Sequence, residues 1–126
     1  MSSPRNWIGV LIAVALTLAG PALAQTPLTV REFNQIAGST PRNPLSMMRP
    51  SVRRAWTSME SSIGAARVEE AAARSAGTRP PFCIPGRTDI SPNDFMLRMR
   101  AVPVSRQDQT VNQAVRTWMI ERFTCR

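Results

Sequence analysis

Few side chains in this 126-residue sequence are equipped for reactive chemistry: two cysteines, eight carboxylates and sixteen arginines, with no histidine, lysine or tyrosine anywhere. Without histidine the chain lacks the commonest general acid–base group and the commonest metal ligand. Ser–His, Cys–His and Ser–Lys arrangements are excluded outright. A paired-carboxylate mechanism needs two acids facing one cleft. Glu69 and Glu70 are adjacent, so on a helix they point in different directions. Asp89 and Asp94 flank a helix start, where the helix dipole accounts for an acid. Cys83 and Cys125 have the wrong spacing for a zinc site. No glycine-rich phosphate loop is present. The residues therefore point away from an enzyme and call for no cofactor and no metal. The methionines (Met47, Met48, Met59, Met96, Met99 and Met119 after the initiator) could form a soft-metal site or a plastic groove. Their core-like spacing favours packing.

What the two sulfurs do depends on the compartment. Arg5 precedes an apolar run from Trp7 to Ala19, which Gly20-Pro21 interrupts before Ala22-Leu23-Ala24. This order of basic, apolar and small residues is that of a secretory signal peptide, with cleavage between Ala24 and Gln25. The run is shorter than the roughly 20 residues that span a bilayer. Residues 1–24 are thus read as leader, and residues 25–126 as a single domain of 102 residues in the periplasm. An even cysteine count in an exported chain predicts a disulfide, Cys83–Cys125.

Four segments have helical patterning. Thr29 caps a first helix over Val30–Ala37, with Glu32 completing a capping box and Gly38 as the stop. Pro41, Pro44 and Pro50 make the next stretch a loop, with room for a short turn at Leu45–Met48. A long helix follows over about Ser51–Ser75. Val52, Trp56, Met59, Ile63 and Ala66 form its apolar face, and Arg67 and Glu70 an ion pair. Gly64 within it suggests close approach of a neighbouring helix, and Gly77 ends it. Ser91, Pro92 and Asp94 open a third helix with Phe95, Met99 and Val102 on one face. Thr110 and Gln113 box the start of a fourth, with Val111, Val115, Trp118, Met119 and Phe123 inward. The fold expected is all-α, a small bundle of about four helices closed by one disulfide. Trp56, Phe82, Phe95, Trp118 and Phe123 are its expected core aromatics.

With Arg5 in the leader, the mature chain keeps 15 arginines against 8 acids, a net charge of +7. Such charge favours anionic partners, and export makes envelope lipid, glycolipid or an acidic protein surface better candidates than nucleic acid.

The order Phe82-Cys83-Ile84-Pro85, a Ser-capped helix, Pro103, and a last helix ending Phe123-Thr124-Cys125 resembles the Rap/Tai family of periplasmic immunity proteins, which neutralise peptidoglycan amidase effectors of type VI secretion. The likeness is clearest from Arg79 to Cys125. It implies a helical, disulfide-bonded, often dimeric binding protein whose partner is an exported cell-wall amidase. The chain departs from the pattern in having no cysteine before Cys83, Ser61 where an aromatic commonly precedes the helical glycine, and Thr124 where proline is common. The loop Gly86–Asp89 lies beside the bridge, which makes Arg87, Thr88 and Asp89 the expected partner-facing residues. Two other readings compete with it. One is a cationic protein that binds anionic lipid or glycolipid surfaces. The other is a small envelope chaperone with exposed methionine-rich faces.

Overall fold

The computed structural model describes residues 26–126; the expected leader and its cleavage site lie outside them. The described chain is all-α. Its helices are α1 (Val30–Ser39), α2 (Pro50–Ser75), α3 (Pro92–Ala101) and α4 (Val111–Arg122), with 3-10 turns at Pro44–Met48 and Val104–Arg106.

The helix starts follow from their caps. Ser91 Oγ accepts the Asp94 N–H at 3.1 Å, with Pro92 in the first turn. At α4 the reciprocal box forms in full between Thr110 and Gln113. At α1 only half of it forms. Thr29 Oγ1 accepts the Glu32 N–H, but the Glu32 carboxylate accepts from the Thr29 hydroxyl instead of its N–H, and its other oxygen lies 4.0 Å from Arg54. Gly38 is not the stop: α1 runs through it to Ser39 and ends on extended Thr40. Gly77 is one, at φ 69°, with Gly77 N–H on Arg74 O and Thr78 N–H on Ala73 O.

Residues 28–31 run antiparallel to the approach of α4. Val30 N–H donates to Gln109 O, Val111 N–H to Leu28 O and Arg31 N–H to Gln107 O, all at 2.9–3.0 Å. The caps Thr29 and Thr110 therefore sit opposite each other, and α1 starts beside α4.

The long helix is rotated from the face its bulky residues suggest: Met59 and Ala66 are buried as expected, but Trp56 is not. Ala55, Met59, Ser62, Ala66 and Glu70 are inside, Val52 and Ile63 are half-buried, and Trp56 is exposed. The reason lies in the partner. α2 and α4 make the most extensive helix contact, and α4 presents Val115, Trp118 and Met119. Small residues on α2 let the axes approach; bulk on both faces would hold them apart. Gly64 takes no part, since a Cβ there would meet nothing within 4 Å. Arg116 of α4 grips Glu69 with both carboxylate oxygens at 2.8–3.2 Å, and this hydrogen bond, then the charge, raises the arginine's pKa further.

The aromatic centre is Phe33, Phe95 and Trp118, stacked edge to face with centroids 5.3 and 6.1 Å apart. Phe82 is fully buried, Phe123 packs at the margin, and Arg122 lies over the rings of Trp118 and Phe123. Cys83 and Cys125 are bonded, with Cα atoms 5.0 Å apart, and Cys83 N–H donates to Phe123 O at 2.7 Å beside the bridge.

Glu70 is a buried acid and not a surface partner of Arg67. It takes the Ile84 N–H at 3.2 Å and Arg74 at 2.7 Å. It thereby pins the connector that carries Cys83 to α2.

Candidate partner-binding groove

Displacing Trp56 and Val52 from the core puts them on a wall. Facing them are Ile36 and Ala37 of α1, Met47 of the 3-10 turn, and Met96 of α3, around a cleft of about 290 Å³ floored by Phe33 and Met59. The prolines explain why this wall is not closed. Pro41 and Pro44 force residues 40–49 into a tight turn, which Asn43 caps through its side chain on the Ser46 N–H. Ser46 Oγ donates to Pro41 O at 2.6 Å, which rolls Ser46 inward and its neighbours out. Leu45 and Met48 are left more than 70% exposed and Met47 45% exposed. Isolated exposed apolar residues are ordinary; four of them within residues 45–56, beside a cleft, are not.

Trp56 is fixed in place. Its indole N–H donates to Glu60 Oε1 one turn along α2 at 2.8 Å. A large aromatic held in one orientation yields its contact area with little ordering cost. Arg42, after α1, and Arg100, late in α3, line the groove, and neither enters an ion pair among the described residues. The lining holds no carboxylate and no cysteine. Its chemistry is apolar contact plus two free guanidinium groups.

The expected partner loop lies elsewhere. Thr88 N–H closes a turn on Pro85 O at 3.2 Å, and Arg67 Nη2 holds Thr88 O at 3.0 Å from α2. Arg87 and Asp89 are exposed on this turn, and none of the three residues lines the groove. Arg67, expected to pair with Glu70, is what anchors the loop.

Sequence periodicity hid the groove because Trp56 and Val52 fit a helical apolar face as well as the true one does. The signal that pointed to it was Met47-Met48 between prolines, where no helix could carry both methionines into a core. Of the methionines expected to pack, Met59, Met99 and Met119 do; Met96 is half-buried, and Met47 and Met48 are exposed. Among the described residues no three His, Cys, Asp or Glu gather as metal ligands, and no helix is long and apolar enough to cross a membrane. Comparison with protein-family models, with curated proteins and with solved structures finds no match, so the groove and the loop stand on their own geometry.

Proposed function

We propose that this is an exported, non-catalytic binding protein of the periplasm that captures a segment of another exported protein in the Trp56 groove. The disulfide supports an oxidising compartment. The observation that carries the reading is a tryptophan hydrogen-bonded to Glu60 on the wall of an apolar cleft that two arginines, unpaired among the described residues, also line. Buried Trp and Arg are the side chains that dominate interface energies. The occupant that fits is a peptide segment with apolar side chains flanked by carboxylates, which Arg42 and Arg100 would meet by charge complementarity. A concave cleft receives such side chains, whereas the protruding Leu45 and Met48, outside its lining, are what a lipid surface would meet.

The resemblance to Rap/Tai immunity proteins names a candidate partner, a peptidoglycan amidase effector of type VI secretion. The exposed turn at Arg87–Asp89, held by Arg67 beside the bridge, supplies a second, rigid contact for it. Co-expression with the product of an adjacent amidase gene, followed by calorimetry on the purified pair, tests the assignment. The expected result is a stable complex that Trp56→Ala weakens by about 2 kcal/mol or more, roughly 30-fold. No complex with an exported hydrolase, and no protection of cells from one, would sink the immunity reading. A complex indifferent to Trp56 and Arg100 but lost on changing Arg87 and Asp89 would move the interface from the groove to the loop.

A further inference from the structure

A second cleft, of about 700 Å³, lies between residues 26–28, the first four turns of α2 and the start of α4, and it shares no lining residue with the groove. α2 lines it with Thr57, Ser58, Ser61 and Ser62, four hydroxyls on a helix interior. Such hydroxyls normally turn back on a carbonyl of the preceding turn. Ser61 does so, on Ser58 O at 3.3 Å. Ser62 makes no such bond among the described residues: the residue is 4% exposed and lines the cleft, and its hydroxyl is not fully enclosed, so it keeps access to solvent. A hydroxyl so placed can exchange water for an incoming acceptor.

Three further features set the sign of that acceptor. Arg53 lines the cleft without a carboxylate partner among the described residues. Asn112 is the second residue of α4, and the cap uses the Gln113 N–H, so the positive end of this helix opens on the same space. No carboxylate is in the lining. Serine hydroxyls, an arginine and a helix start are together the donor set that suits phosphoryl oxygens. The volume falls within the roughly 300–1,000 Å³ of small-molecule sites, so the phosphoryl group would come attached to a larger body, which the remaining hydroxyls would contact.

We propose that this cleft binds a phosphoryl group carried on a small hydroxylated molecule. A free sugar phosphate and a phospholipid headgroup share that chemistry. The site is independent of the protein partner proposed above.

The test is amide NMR on isotope-labelled, oxidised protein produced from the full-length gene. Glucose 1-phosphate, glucose, and phosphatidylglycerol or phosphatidylcholine vesicles are added in turn. Glucose 1-phosphate is expected to shift the Arg53, Ser62 and Asn112 amides saturably, and glucose to leave them unmoved. Arg53→Gln and Ser62→Ala should each weaken binding about tenfold or more, as loss of a hydrogen bond to a charged group does, and Trp56→Ala should not. Binding of phosphatidylglycerol vesicles that glucose 1-phosphate displaces assigns the headgroup as source; glucose 1-phosphate binding without vesicle binding assigns a free metabolite. The proposal is overturned if neither phosphorylated probe gives a saturable shift, or if the shifts spread over other arginines and survive in Arg53→Gln.

Discussion

Position 56 shows how little a residue's type says about its role. Trp56 is 39% exposed, whereas Phe95 is fully enclosed. Trp56→Ala is therefore expected to cost clearly less than Phe95→Ala, which should cost about 3–5 kcal/mol; urea midpoints measure both. The adjacent acids on α2 make the same point with charges. Glu69 meets Arg116 on an exposed face, so Glu69→Ala should cost no more than about 1 kcal/mol. Glu70 is buried on the Ile84 N–H, and Glu70→Ala strands that donor at about 1–3 kcal/mol. If the two substitutions gave equal losses in urea denaturation, the anchoring of the Cys83 connector by Glu70 would be wrong. Nothing in the sequence separates these two acids; only the rotation of α2 in the bundle does.

Elements were legible where local chemistry decides them. Ser91-Pro92, Thr110 with Gln113, and Gly77 mark ends by hydrogen-bonding rules that act within a few residues, and the structure uses all three. Gly38 misled because a helix can absorb a glycine at modest cost when the next residues still supply hydroxyls: Ser39 and Thr40 both bond back to α1 carbonyls. The face that α2 buries was legible only at Met59 and Ala66; the rotation that brings in Ala55, Ser62 and Glu70 depends on how bulky α4 is. The two glycines of α2's sequence neighbourhood should respond in opposite directions. Gly64→Ala has open space and a helical backbone, and should stabilise by about 1 kcal/mol. Gly77→Ala must hold φ 69° and should destabilise by roughly 1–2 kcal/mol. Thermal melts of the two variants, shifting up and down respectively, check both.

At the scale of the molecule, an all-α bundle with a single closing bridge was readable from cysteine parity, helix period and turn residues. The groove was not, because it is a place where three helices and a 3-10 turn fail to close, and no local pattern encodes a gap between distant segments. The bridge joins residues 42 apart, and chain-entropy arithmetic gives it about 4 kcal/mol. That is a large share of the 5–15 kcal/mol typical of a domain. Replacing Cys83 and Cys125 together with alanine should lower the urea-extrapolated stability by about that amount.

Leu28 and Val30 are hydrogen-bonded to residues 109–111, and Cys125, just past α4, carries the sulfur that clamps the connector. Synthesis runs from the N-terminus, so residues 28–30 stay without these backbone partners until residues 109–111 have been made. The lock on the early residues is therefore supplied by α4 and Cys125, and residues 28–30 cannot hold their native conformation without them.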